Sequence, residues 1–261
     1  MAPLSFFMRI FSLGAAAILG LVVIGESASA QKASPIAVLF VGCPADGQMG
    51  PIAAPTAVRE TPAAPASAGS RLTYYASTHL GVLAPRGWHC FGLYGSNGSI
   101  LIATPDAHDA NELMRPETRL SGPVVQLSRT YGGTSGRIWV ADVAARLFPA
   151  AKPFVQRVMD EGLLPNDKFS FRPYADDRLT RRSETEVEFL TPGNREGIGT
   201  SSRIARNAEP ISGVAILLPT DNVYDLIYLA IRLPTEMRPL SPTIVKSVET
   251  DHETPPLGNP R

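Results

Sequence analysis

Cys43 and Cys90 are the only two cysteines of the 261-residue chain, and two chemistries compete for them. Paired in an oxidising compartment they form a disulfide, which contributes about 4 kcal/mol by restricting the unfolded chain. Left free, Cys90 is a candidate nucleophile, and a thiol nucleophile needs a base beside it. His89 adjoins it in sequence, but neighbours in a strand point to opposite faces, so His79, His108 or His252 would have to arrive from elsewhere. The disulfide gives both cysteines a reason and is the expectation carried forward.

Other residues could act without a thiol. Gly132-Gly133-Thr134-Ser135-Gly136-Arg137 stands before a helical pattern. Successive backbone N–H groups, a helix N-terminus and an arginine fork make it a candidate anion-binding loop. It lacks the spacing of a nucleotide phosphate loop, and a plain loop with Thr134 or Ser135 as helix cap explains the same residues. Gly197-Ile198-Gly199-Thr200-Ser201-Ser202-Arg203 has similar character. No G-x-S-x-G nucleophile elbow occurs. Glu184, Glu186 and Glu188 alternate with Thr185, Val187 and Phe189. That puts the carboxylates on one strand face, suited to an acid/base pair or a hard cation, or simply to solvent. The four histidines show no metal-ligand spacing, so neither a metal nor a cofactor is expected. Tyr74, Tyr75, Trp88 and Tyr94, with Phe91 among them, are close enough in sequence to form an aromatic platform for a sugar or peptide, or to fill a core. Asn97-Gly98-Ser99 is a glycosylation sequon whose Asn-Gly pair is already explained by a tight turn.

These groups must be held by elements that the hydrophobic pattern outlines. A β-hairpin is expected from about Trp88 to Thr104 around Ser96-Asn97-Gly98, and Val124 to Thr130 alternates as a strand. Trp139, Val143 and Leu147, with Val140, Ala144 and Phe148 beside them, make one helical stripe that Pro149 ends. A second helix starts with Pro153 in its first turn, buries Phe154, Val155, Val158 and Met159, and stops at Gly162. Strands return at Glu184 to Leu190, Gly213 to Leu218 and Tyr224 to Leu233, the last two apolar enough to be buried on both faces, before a short helix near Pro242 to Val248. Strands, then helices, then strands is the order of an α+β fold: an antiparallel sheet with two central helices packed on one face. Pro44 to Ser70 is crowded with Pro, Ala and Gly and reads as an extended, disulfide-tethered arm before that domain.

The first 30 residues read as a signal peptide. The apolar run Ile10 to Gly25 meets the small-residue pattern Ala28-Ser29-Ala30, so the cut is expected between Ala30 and Gln31. A retained anchor wants about 20 apolar residues, more than this run offers. Gly42-Cys43 has the end of a lipidation site, but its apolar lead-in, Ile36 to Val41, is too short. The expected plan is then a signal peptide over 1–30, an arm over 31–71, one globular domain over 72–249 and a polar, Pro-rich tail over 250–261. Lys and Arg number 24 and Asp and Glu 24. With no single-sign field, nucleic-acid binding is not expected, and no later run is long enough for stable membrane insertion. The arginine-, alanine- and proline-rich composition points to a high-GC bacterial genome, and with the signal peptide the mature protein is expected in the periplasm or the medium.

The order of parts resembles the exported PsbP/Mog1-like domains. The likeness rests on an early extended segment ending in Pro85-Arg86-Gly87-Trp88, a helical middle, and a last strand ending in Leu233-Pro234 before a helix. It implies a fold and no catalytic residues. The function expected from all this is a non-catalytic binding or accessory domain of the bacterial envelope, acting on an unknown ligand or envelope protein. The alternative is an exported hydrolase whose nucleophile, Cys90 or Ser135, is served by a distant histidine.

Overall fold

The computed structural model describes residues 35–251, apart from 59, 109, 116, 164, 166–168 and 222. The expected signal peptide and its cleavage site lie outside the described residues, as does the tail beyond Asp251. In chain order the elements begin with β1 (Ile36–Ala37), β2 (Leu39–Gly42), β3 (Ala45–Gly47), β4 (Ala63–Ala64) and the short α1 (Ala66–Gly69). Next come β5 (Leu72–Ala76), β6 (Gly81–Pro85), β7 (His89–Gly95), β8 (Gly98–Thr104), α2 (Ala110–Met114) and β9 (Val124–Thr130). The helical middle is α3 (Arg137–Leu147) and α4 (Lys152–Asp160), and β10 (Arg178–Arg181), β11 (Glu186–Thr191), β12 (Ile211–Thr220), β13 (Val223–Arg232) and α5 (Ser241–Asp251) follow.

Several boundaries follow directly from local chemistry. The β7–β8 hairpin closes with Gly95 opposite Gly98 around a two-residue loop, Ser96-Asn97. Gly98 takes φ +142°, and a Cβ there would lie 2.1 Å from the Arg129 carbonyl oxygen, so only glycine lets β8 approach β9 at this point. Helix α3 stops where Phe148 leaves helical geometry before Pro149, and Pro153 occupies the first turn of α4. Gly162, at φ +67°, ends that segment.

The main sheet has eight strands in the order β10-β11-β12-β13-β9-β8-β7-β3, and a smaller sheet has the order β2-β5-β6. Neighbours in the main sheet are antiparallel except β3, which runs parallel to β7. Its central strands are apolar on both faces because both are covered. Leu226, Tyr228 and Ala230 of β13 join Val140, Val143, Leu147, Phe154 and Val155 of α3 and α4 in one cluster. Leu229 and Ile231 point the other way, into a second cluster with Leu72, Val82 and Leu83 of the small sheet and Ile244, Val245 and Val248 of α5.

The α+β class and the disulfide tether of the arm read from the sequence therefore hold, while the layout differs from an antiparallel sheet covered on one face and preceded by an extended arm. The arm supplies β3 to the main sheet and β2 to the small one, through backbone pairing that needs no side-chain periodicity. Arg232, at the end of β13, is fully buried and, among the described residues, has no carboxylate partner. Its Nη1 donates to the carbonyls of Leu120, Ser121 and Gly122 and its Nη2 to that of Ala205, tying two loops together. Desolvation lowers its guanidinium to about 10.

Candidate functional site

Cys43 and Cys90 are bonded, with Cα atoms 5.4 Å apart, and no cysteine is free. Cys43 sits between β2 and β3, so the bond staples the arm where it passes from the small sheet to the main one. Cys90 has no thiol left to serve as a nucleophile.

The glycine-rich loop at Gly132 leads into α3, and several of its donors are engaged within the protein. Gly132 N–H donates to Asp225 Oδ1 at 3.1 Å, and Arg129 Nη2 donates to Asp225 Oδ2 at the same distance. A resident carboxylate thus stands at the loop. Gly136 N–H donates to Thr134 Oγ1 at 3.1 Å. Arg137 is held by Glu161 at 2.6 Å and by the Thr134 carbonyl at 2.8 Å. Gly133 and Ser135 are exposed. Neither Thr134 nor Ser135 caps α3, whose N-cap is Gly136.

The second glycine-rich segment is arranged the same way. Asp177 Oδ2 accepts Ile198 N–H at 2.8 Å and Oδ1 accepts the Thr191 hydroxyl at 2.7 Å. Thr191 Oγ1 in turn accepts Gly199 N–H at 3.0 Å. Burial pushes the Asp177 carboxyl up and these donors pull it partly back. Tyr228, fully buried, donates to the Ile198 carbonyl at 2.6 Å, and burial raises its phenol.

The aromatic residues do not share one surface. Tyr75 is buried, donating to the Pro85 carbonyl at 3.0 Å and accepting Trp88 N–H at 2.9 Å. Tyr74 and Trp88 are partly buried against the cluster beneath α5, and burial pushes the Tyr74 phenol up to about 12. Tyr94, on the main sheet, donates to the Gly50 carbonyl at 2.6 Å and so holds the arm's turn.

Thr200 of the second glycine-rich segment borders a pocket of about 390 Å³ with Glu196, Arg119 and Arg206, and a further space lies beneath α5. Between this helix and the β11–β12 part of the main sheet is a cavity of about 530 Å³. Ser241, Val245 and Glu249 line it from successive turns of one helix face, and Glu186, Glu188 and Ser212 line it from the strands. Gly213 also lines it, and a Cβ there would lie 1.9 Å from the Leu229 carbonyl oxygen, so only glycine lets β12 approach β13 at this point. Glu249 is 7% exposed. Its Oε2 accepts Lys246 Nζ at 3.3 Å, while its Oε1 is buried without a hydrogen-bond partner. Burial pushes its carboxyl up, Lys246 pulls it partly back, and the charge of Glu186 together with the close approach and charge of the Glu188 carboxyl pushes it further. Glu188 is held by Arg182 Nε at 2.5 Å.

Two of the three glutamates of the alternating row, Glu186 and Glu188, thus reach the cavity, whereas Glu184 precedes β11. Among the described residues no group of three or more His, Cys, Asp or Glu side chains is arranged to hold a metal ion. Glu249 was not among the sequence candidates. Its signal was its place one residue after Val248 and four after Val245, on the apolar side of the helix. Compared with known proteins, the chain matches no family model, no curated protein and no solved structure.

Proposed function

We propose that this chain is an exported, non-catalytic binding or accessory domain whose ligand seat is the groove beneath α5. One observation carries the reading: Glu249 is buried in a cavity with one carboxyl oxygen unpartnered. An unsatisfied buried polar atom costs about 1–3 kcal/mol, and a ligand that supplies the missing partner recovers it. The cavity is also of ligand size, about 530 Å³.

Export is supported by the disulfide, which persists in an oxidising compartment, and by the Ala28-Ser29-Ala30 pattern. We place the mature protein in the periplasm or the medium of a bacterium, with a small ligand or an envelope protein as partner rather than nucleic acid. Among the described residues no helix is long and apolar enough to cross a membrane. The hydrolase alternative has lost Cys90 to the disulfide. Among the described residues, Ser135 forms no hydrogen bond with His79, His89 or His108.

Thermal unfolding against a panel of amines, polyols, amino acids and carboxylates tests the reading, run on the wild type and on Ser241→Trp, whose indole fills the groove. A compound that stabilises the wild type, loses its effect in S241W and is recovered chemically unchanged supports it. Stabilisation that persists in S241W, turnover of the compound, or no stabilisation by any class overturns it.

A further inference from the structure

We infer that the α5 groove seats a primary ammonium group between the carboxylates of Glu249 and Glu188, an inference that deepens the groove reading and rests on it. Charge and exposure define the class. Glu186, Glu188 and Glu249 line the cavity, as do Arg182 and Lys246. The side chains of Lys246 and Arg182 are 74% and 53% exposed, whereas those of Glu249 and Glu188 are 8% and 27% exposed. The cationic heads therefore stand towards water and the carboxylates form the inner wall.

An ammonium is a compact point charge with three donors that can be aimed separately. One N–H satisfies Glu249 Oε1, which has no donor, and a second reaches Glu188. A guanidinium fork is shaped instead for two oxygens of one carboxylate. Val245 and Pro242 supply apolar contact for the alkyl stem that carries the ammonium. Lys246 behaves as a tethered, poorly placed version of the same ligand. Its Nζ lies 3.3 Å from Glu249 Oε2, longer than the usual 2.7–2.9 Å of a charge-assisted bond.

Seating an ammonium favours the ionised form of Glu249, whose carboxyl burial pushes up, so affinity rises with pH through the range in which Glu249 titrates. The charged groups facing Glu249 are Lys246 on its own helix, Glu186 and Glu188 on β11, and Arg182 ahead of that strand. The ammonium comes either from a free alkyl diamine or from a lysine side chain of a peptide.

Calorimetric titration of the full, oxidised protein with cadaverine, and separately with acetyl-Gly-Lys-Gly-amide, tests the inference and tells the two sources apart. At least one probe binds, and its affinity rises as the pH is raised from the acid side. Tetramethylammonium, which has charge but no N–H, does not bind. Glu249→Gln and Glu188→Gln each weaken binding by about tenfold or more. Glu184→Gln leaves it unchanged, and Lys246→Met tightens it by removing the internal competitor. The partly exposed Glu188 keeps the test available if E249Q does not fold. Wild-type affinity in both E249Q and E188Q, or weaker binding in K246M, overturns the inference. A polyol or carboxylate as the only compound lost in S241W overturns it too, while the groove reading stands. If S241W loses no ligand at all, both fail.

Discussion

Replacing both cysteines by alanine measures how far the arm depends on its covalent staple. The Cys43–Cys90 bond spans a sequence separation of 47. Closing a loop of that length removes about 14 cal/mol/K from the unfolded chain, or about 4 kcal/mol at 25 °C. For a domain of this size each kcal/mol moves Tm by roughly 2–4 °C, so C43A/C90A should melt about 8–16 °C below the oxidised wild type. Local structure argues that little else compensates, since β2 has four residues and β3 three. Wild type under reducing conditions should match the double variant, because both lose the same loop constraint. Calorimetry checks the melting, and hydrogen exchange at β2 and β3 checks that these strands open first. A fall of less than about 4 °C would refute the reasoning and show that strand pairing alone fixes the arm.

Three further outcomes are expected. Asp225→Ala removes the acceptor of both Gly132 N–H and Arg129, leaving a partly buried cation unpaired, and should cost about 2–4 kcal/mol in urea unfolding; a loss under about 0.5 kcal/mol would mean the loop is held by other contacts. Tyr75→Phe deletes a hydroxyl that accepts Trp88 N–H and donates to the Pro85 carbonyl, and should cost about 1–3 kcal/mol; wild-type stability would contradict this. Glu249 has a raised carboxyl pKa, so the native state holds a proton that the unfolded chain releases. Its contribution is present below the ordinary glutamate range and fades as pH rises through the folded value. Glu249→Gln should therefore flatten the decline of urea midpoints with rising pH, and an unchanged slope would count against that assignment.

How much could be read from the sequence depended on which force set each element. Helices α3 and α4 are built by apolar stripes bounded by Pro149, Pro153 and Gly162, and their limits were legible. So was β9, expected and found from Val124 to Thr130. The disulfide was legible because two cysteines leave one pairing. Strands β2 and β3 were hidden, because Leu39 and Val41 are exposed and the pairing is backbone work that any residue but proline can do. The internal partners of the glycine loops were also missed. Asp225 and Arg232 appear in sequence as charges inside an otherwise apolar strand, Val223–Arg232, a mismatch that marks a buried polar contact without naming its partner. Glu249 carried one signal, its place on the apolar side of α5, but the carboxylates and cavity it faces needed the fold itself.

The position of β13 inside the main sheet has a consequence for the order in which the molecule can be assembled. It lies between β12 and β9 and is among the last strands to be made, while β3, made near the start, occupies the sheet's outer edge. The segment from Ala45 to Thr130 therefore lacks its inner neighbour until residues beyond Arg232 have emerged. A chain delivered from its N-terminus cannot complete the main sheet until almost all of it has arrived, although β7, β8 and β9 already have one another to pair with. During that interval Cys43 and Cys90, both already made, have only each other to meet within the chain, so covalent closure can precede the pairing of β13 with β9.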